Sequence, residues 1–315
     1  MNTKKKILIL GANGFLGRHM AKQLNVDNYQ IVEKTKTNCD LLNIKDILEV
    51  LEKETPSIII NCAGIIGSSE NNISKNQYDI FKINIQIIFN LLDAIKQKPF
   101  IEHLYLFSSY RCFSELSNFD SHYFNNFDIE SLVKANNCGY LTSKFMMDIQ
   151  IELFLKFSNT KITNLIIPNL YGEFDNFCKE GRIVPSLVYQ IYNINYNKQQ
   201  IWNKNIEVDK EINLLYVKDL IAVIKSLVEE KKNFKRLYVE NNNKIYISDL
   251  INKIVKYINP ELKVSLTIKK REISQTQYKS NIKEILPSIK FTNLDDNLQK
   301  LISYFIDIQD NSDFL

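Results

Sequence analysis

An apolar run that breaks into evenly spaced glycines and resumes as a helix leaves a chain few ways to fold. Lys6-Ile7-Leu8-Ile9-Leu10 reads as a short strand with a basic flank; Gly11-Ala12-Asn13-Gly14-Phe15-Leu16-Gly17 follows at once, and Arg18 to Leu24 reads as helix. Strand, glycine turn and helix stand in the order a dinucleotide site requires. Gly11 permits the tight turn, Gly14 lets main chain approach a pyrophosphate, and Gly17 lets the helix pack on the strand. The helix N-terminus then offers unpaired N–H groups and a partial positive charge to the phosphates. The spacing is GxxGxxG rather than GxGxxG. An ordinary glycine loop is the plain alternative, and the flanking strand and helix weigh against it.

Strand-like and helical runs alternate through the first half of the chain. Ile31-Val32-Glu33 reads as strand, Ile44 to Glu54 as helix stopped before Pro56, and Ser57 to Ala63 as a buried strand. Tyr78 to Lys96 reads as a long helix, His103 to Ser109 as strand, Tyr140 to about Phe157 as helix, and Lys161 to Ile167 as a strand ending at Pro168. Such alternation implies an α/β fold of the Rossmann type, a doubly wound parallel sheet with helices on both faces. Ligands there bind beyond the carboxyl ends of the strands, where Gly64, Ser109 and Asn169 fall. The alternation weakens after Tyr171. The expected organisation is a dinucleotide-binding domain over 1–170, rejoined by 214–240 through a helix from Leu215 to Lys225. A smaller substrate-binding lobe then comes mainly from 171–213 and 241–315.

Composition narrows the function classes. The 315 residues, 45% of them hydrophobic, are ample for a sizeable core. A net charge of +4 is mild, and lysine is spread along the whole chain rather than gathered in a nucleic-acid footprint. Five scattered cysteines, no CxxC and three histidines indicate neither a zinc site nor a disulfide framework, so a reduced cytoplasm is the expected home. Lys4-Lys5-Lys6 and the apolar stretch after it are too short for a signal peptide and run straight into the glycine turn. No segment has the length and apolarity of a membrane span.

Tyr140 and Lys144 stand four apart, which on a helix puts both on one face, one turn apart. A phenol beside an ammonium is a route to proton transfer near neutral pH, because a nearby positive charge favours the phenolate. YxxxK on its own is also a common helix-surface pairing, so its meaning depends on the rest of the chain.

The glycine turn, Asp40-Leu41, Asn61-Cys62-Ala63-Gly64, Asn84, Ser109 and Tyr140-xxx-Lys144 occur in one order. Together they resemble the extended short-chain dehydrogenase/reductases, a family of nucleotide-sugar epimerases, dehydratases and reductases. Pro168-Asn169-Leu170-Tyr171-Gly172-Glu173-Phe174-Asp175-Asn176-Phe177, then Arg182-Ile183-Val184-Pro185, resemble the substrate segment of its GDP-L-fucose synthase branch, as do Ile201-Trp202-Asn203 and Leu214 to Leu220. The resemblance implies a cofactor whose adenine end lies near Gly11, Asn13, Gly14, Phe15, Leu16, Gly17, Asp40 and Leu41. Ala63, Gly64, Asn84, Pro168 and Leu170 would line the rest of it, and Lys144 would hold the nicotinamide ribose. It implies Ser109, Tyr140 and Lys144 as catalytic residues. A nucleotide-sugar substrate would meet Ser109, Arg111, Tyr140, Asn169, Arg182 and Trp202. A homodimer through the helices of Tyr78–Lys96 and Tyr140–Phe157 is also implied, with no nucleic-acid or membrane partner. Glu33 at the end of the second strand suits NAD, whereas Lys34 and Lys36 suit the 2′-phosphate of NADP; NADP is favoured over NAD.

Two departures from the family pattern bear on the reaction. By the resemblance, epimerases of this branch carry a cysteine two residues after the serine and a histidine before the Val/Ile-Pro pair; here these positions are Arg111 and Arg182. A guanidinium stays protonated near neutral pH and cannot trade protons at C3 or C5 of a sugar. Cys112 is one position off and would point elsewhere on an extended segment. Tyr110-Arg111 likewise replaces the acidic pair of the family's dehydratases. Each arginine is open to two readings, a pair with a carboxylate such as Glu115 or Glu180, or a contact to substrate. Ile212 stands where the family usually carries a pyrophosphate-binding arginine. The expectation is hydride transfer at C4 of a nucleotide-activated (deoxy)sugar, as a 4-keto reductase or the reverse dehydrogenase, without C3/C5 epimerisation. A C4 epimerase and a non-catalytic dinucleotide sensor are the alternatives.

Overall fold

The computed structural model describes residues 4–66, 76–114, 137–196, 208–241, 243–264, 280 and 282–312. The first apolar run forms β1 (Lys5–Leu10), and the glycine turn opens into α1 (Phe15–Gln23), which begins at Phe15 rather than Arg18. There follow β2 (Tyr29–Lys34), α2 (Ile44–Glu54), β3 (Ile58–Asn61), α3 (Gln77–Lys96), β4 (His103–Ser109), a short α4 (Arg111–Ser114), α5 (Cys138–Phe154) and β5 (Lys161–Ile167). Local chemistry sets several of these limits. Asn43 and Asn76 start α2 and α3 by accepting first-turn N–H groups on their side-chain oxygens. Thr55 ends α2 in the left-handed region at φ 46°, immediately before Pro56, which disfavours further helix.

The remaining elements are β6 (Asn169–Tyr171), α6 (Ile183–Tyr196), β7 (Glu211–Tyr216), α7 (Val217–Glu229), β8 (Arg236–Tyr238), β9 (Lys244–Tyr246), α8 (Ile247–Ile258), α9 (Ile282–Ile285) and α10 (Leu294–Ser312). The helix expected over Leu215–Lys225 is therefore strand through Tyr216 and helix only from Val217. The apolar run Leu214-Leu215-Tyr216-Val217 fits either element by periodicity, and pairing with β6 and β9 decides for strand.

The chain divides into two compact units. The first comprises Met1–Ile167, Ile221–Val239 and Ser280–Pro287, and the second Pro168–Leu220, Glu240–Lys279 and Ser288–Leu315. In the first unit six strands pair in the order β2-β1-β3-β4-β5-β8, all parallel. The fold is thus the expected doubly wound Rossmann type. From β1 the chain crosses to β2 on one side and later to β3 on the other, so the strand order reverses at β1 and β3. In such sheets the ligand crevice lies outside the carboxyl ends at that point. The last β3–β4 pair is Ile60 with Tyr105, so β4 runs four residues further to Ser109, about 13 Å at strand rise.

One core layer of this unit packs α2, α3 and α5 on the sheet through Leu8, Ile59, Leu104, Leu51, Leu91 and Met147, all at most 1% exposed. The sheet has continuous apolar strands, as parallel strands covered on both faces require. In the second unit β6, β7 and β9 form a small sheet, parallel between β6 and β7 and antiparallel between β7 and β9. Phe305 of α10 centres its own core, stacked on Phe177 at 4.6 Å and edge-on to Tyr192 at 5.2 Å. Among the described residues no helix is long and apolar enough to cross a membrane.

His103 at the start of β4 is buried, hydrogen-bonded to Thr163 Oγ1 at 2.8 Å and stacked on Tyr105 at 4.1 Å. Burial pulls its imidazole down to about 4, with Lys161 adding to the effect. The unfolded chain therefore binds the extra proton between pH 6.5 and 4, and stability falls as pH drops through that window. The full swing is about 3 kcal/mol. Urea midpoints at pH 7.5 and pH 4.5 should lie closer together in His103→Gln, by about 2 kcal/mol in unfolding free energy; an unchanged gap would show that His103 is not the titrating group.

Candidate active site

At the switch point, main chain meets main chain. Gly11 has φ +77°, and its N–H and that of Ala12 donate to Lys34 O at 2.9 and 3.0 Å. A Cβ on Gly11 would lie 2.8 Å from Ala63 N, and one on Gly17 only 2.0 Å from Gly11 O. Glycine is therefore required at both positions. The arrangement presses α1 onto the end of β1 and aims its first turn over the crevice. Gly14 caps α1, and no acidic residue stands in that first turn. A helix start offers N–H groups to an anion, so the turn that begins at Phe15 is suited to one. Asn13 and Gly14 are exposed, and Phe15 and Leu16 half-buried, the latter two on α1 itself. These residues fit the pyrophosphate of a dinucleotide.

The other cofactor residues divide. Lys34 Nζ pairs with Glu54 at 2.9 Å, and Lys6 joins the same carboxylate at 3.2 Å. The Lys34 hydrogen bond, with Lys6 adding, holds Glu54 below the usual carboxylate range. Lys36 is exposed. Asp40 closes a turn by accepting Leu42 N–H at 3.1 Å, and buried Leu41 gives its carbonyl to Asn90 Nδ2 at 2.9 Å. Ala63 N–H donates to Asn61 Oδ1 at 3.0 Å. Asn84 turns its amide on protein rather than outward. It accepts Ile65 N–H at 2.8 Å, donates to Ile65 O at 2.9 Å, and donates to Ser143 Oγ at 3.2 Å. It thereby ties the Gly64 loop to α5.

Ser109, Tyr140 and Lys144 all belong to the first unit. Ser109 ends β4 and accepts Arg111 N–H on its Oγ at 3.3 Å, which leaves its own O–H hydrogen unspent by that contact. Lys144 Nζ donates to Phe107 O at 2.7 Å and lies 5.7 Å from the Tyr140 ring centroid. Burial pulls its ammonium down to about 8, with Cys112 opposing. Further along α5, buried Asp148 holds Arg236 of β8 at 3.0 Å (Oδ1 to Nε) and Asn164 of β5 at 3.2 Å, fixing the helix to the sheet.

Cys112 does not lie on an extended segment. It sits in α4, wholly buried, and its Sγ donates to Ser109 O at 2.8 Å. Burial pushes the thiol up to about 12. Tyr110 N–H still bonds Ile167 O of β5 at 2.9 Å, and the chain turns into α4 directly after it.

Pro168, Asn169, Leu170 and Arg182 belong to the second unit. Asn169 Nδ2 donates to Asn213 O at 3.1 Å, and Pro168 and Leu170 are buried. Arg182 does pair with a carboxylate, that of Asp175. Nε reaches both oxygens at 3.0 Å and Nη2 reaches Oδ1 at 2.7 Å, while the Asp175 side chain is 1% exposed. Trp202 and Glu115 lie outside the described residues. A cluster absent from the sequence-based expectations joins Glu173 to Tyr216 OH at 2.9 Å and Lys218 Nζ at 2.7 Å. Burial acts to raise the Glu173 carboxyl, but Lys218 and Tyr216 outweigh it and hold it low. Gln77 and Asn90 were also missed. Gln77 and Asn84 stand seven apart, two helical turns, and so on one face of the helix, which is the signal that could have found that pair.

Residues 7–239 match the NAD dependent epimerase/dehydratase family. The chain belongs to that family. It is an NAD(P)-dependent enzyme of the extended short-chain dehydrogenase/reductase type. The GDP-L-fucose synthase of Dictyostelium discoideum is 24% identical over 323 residues, covering 97% of this chain and 96% of that protein. The GDP-L-colitose synthase of Yersinia pseudotuberculosis is 27% identical over 224 residues, 70% of each chain. A crystal structure of a GDP-L-fucose synthetase from Naegleria fowleri bound to NADP shares the fold, with a TM-score of 0.76 at 16% identity over 98% of this chain and 95% of that one.

Lys144 exacts a stability cost in the cofactor-free enzyme. Its folded pKa of about 8 lies below the unfolded value, so the unfolded chain binds more protons between pH 8 and 10.5. The cost is fully present below pH 8 and fades as pH rises toward 10.5. At pH 7 it is at most about 3 kcal/mol, set against roughly 1 kcal/mol for the lost hydrogen bond to Phe107 O. Lys144→Met should therefore melt no lower than wild type at pH 7, and the wild type should gain on the variant as pH rises to 10. A variant that melts well below wild type at pH 7 would refute this balance.

Proposed function

We propose that the enzyme transfers hydride at C4 of a nucleotide-activated deoxysugar, as a 4-keto reductase or the reverse dehydrogenase, with no epimerisation at C3 or C5. The observation that carries this reading is the Tyr140–Lys144 pair one turn apart on α5, with the ammonium 5.7 Å from the phenol ring, in the same unit as the Ser109 end of β4. The named relatives support a GDP-activated sugar, and the NADP-bound relative supports NADP.

The glycine turn and the first turn of α1 would hold the dinucleotide phosphates, Asp40 and Leu41 would meet its adenine end, and Lys144 would meet the nicotinamide ribose. A reduced nicotinamide held there would supply hydride at C4. Tyr140 gives its phenolic proton to O4 as negative charge develops, and Ser109 donates a second hydrogen bond to the same oxygen. The Lys144 ammonium stabilises the phenolate left behind, which is then reprotonated from solvent. In the oxidative direction each step reverses.

The absence of epimerisation rests on three side chains. Arg111 carries a fixed charge, and Arg182 is held by Asp175. Cys112, the remaining candidate for a proton carrier, is buried with a thiol raised to about 12.

Tyr140→Phe should lower kcat by about 10² to 10⁴ while NADP, followed by its fluorescence, still binds; near-normal turnover would sink the mechanism. Reduction of a GDP-4-keto-6-deoxy sugar in heavy water should place no deuterium at C3 or C5, as read by mass spectrometry and NMR. Deuterium there would refute the loss of epimerase chemistry. Inversion at C4 with no net change at the nicotinamide band would mark a C4 epimerase instead.

A further inference from the structure

The first turn of α5 lacks a cap of its own. Its N-cap Asn137 makes no side-chain hydrogen bond to it. The acceptor comes from another helix: Gln77, the first residue of α3, takes the Gly139 N–H on Oε1 at 2.9 Å, with Cys138 Sγ at 4.0 Å from the same oxygen. The two main chains are in contact at this point, since a Cβ on Gly139 would lie 1.9 Å from Gln77 O. Two turns along α3, Asn84 reaches Ser143 Oγ at 3.2 Å, and Ser143 donates to Tyr140 O at 2.7 Å. Positions 77 and 84 share one face of α3, and positions 139 and 143 share one face of α5. Tyr140 lies between the two clamps, and each clamp position is followed immediately by a member of the pair, Tyr140 or Lys144.

We propose that Gln77 is a positioning residue for the reaction. Its side-chain oxygen holds the opening turn of α5 against α3 and so fixes the direction of the Tyr140 phenol. This rests on the role given to Tyr140 above. Loss of the acceptor frees the second N–H of the helix and lets that turn fray, which moves the phenol while leaving the glycine turn and the adenine end untouched. The effect therefore falls on kcat rather than on cofactor affinity. A displacement of about 1 Å at a reacting group costs on the order of 10²-fold in rate.

The test compares two substitutions of similar length. Gln77→Met removes the acceptor; Gln77→Glu keeps it. With NADPH and a GDP-4-keto-6-deoxy sugar, Gln77→Met should lower kcat about 10- to 100-fold with KM for NADPH within about threefold. Gln77→Glu should restore kcat to within about threefold of wild type. Wild-type kcat in Gln77→Met overturns the proposal, and so does an equal loss in both variants, which would make the acceptor irrelevant. Amide hydrogen exchange at Gly139 in the cofactor-free protein gives a readout independent of the substrate. Exchange there should accelerate at least tenfold in Gln77→Met and not in Gln77→Glu; unchanged exchange in Gln77→Met overturns the proposal even if the sugar assignment fails. Failure of the Tyr140 mechanism is read separately, from Tyr140→Phe.

Discussion

Among the described residues of the first unit, three glycines let main chain close on main chain where a Cβ would collide: Gly11 against Ala63, Gly17 against Gly11, and Gly139 against Gln77. The first two fix α1 to the ends of β1 and β3, and the third fixes α5 to α3. Backbone atoms have no rotamers, so these contacts set helix position more tightly than side-chain packing does, and no neighbouring rotamer change can relieve an added Cβ. The crevice and the Tyr140 turn both inherit their geometry from these contacts. Side chains then add the charge and the donors.

Much of the fold was legible because its signals are local. An apolar run, a turn and an amphipathic run repeat from β1 to β5, and limits of α2 and β5 follow from Asn43, Pro56 and Pro168. Legibility ended where tertiary pairing arbitrates. Leu214-Leu215-Tyr216-Val217 is equally apolar as strand or helix, and only β6 and β9 settle it. The site shows the same division. The glycine turn and the Tyr140–Lys144 spacing could be read from sequence, because their geometry lies within a few residues. The Lys34–Glu54 ion pair could not, because its two members lie twenty residues apart. Cys112 failed for a related reason: a strand was extrapolated past Ser109, where the chain turns into helix.

Helix α3 shows how polar residues in an apolar element can be informative. Asn84 and Asn90 are among the buried residues of this helix, and an unpaired buried amide would cost about 1–3 kcal/mol. Asn84 is satisfied by Ile65 and Ser143, and Asn90 by Leu41 O and, on its own helix, Gln86 Nε2. Gln77 does the same for Gly139. One helix thus holds the Asp40-Leu41 turn, the Gly64 loop and the first turns of α5. These segments are distant in sequence, and α3 is the element that touches all of them.

That arrangement bears on the chemistry through the number of proton carriers. A site with several acids and bases tolerates small errors in any one of them, because alternative routes for the proton exist. A guanidinium stands at position 111, and the thiol of Cys112 is raised far from neutrality. In the reaction proposed above, Tyr140 is the side chain, among these described residues, that moves the proton, at a distance where a displacement of about 1 Å changes the rate. Positional tolerance should shrink as the set of carriers shrinks. A clamp on each side of Tyr140, one at Gly139 and one at Ser143, is the form that this constraint takes in the structure.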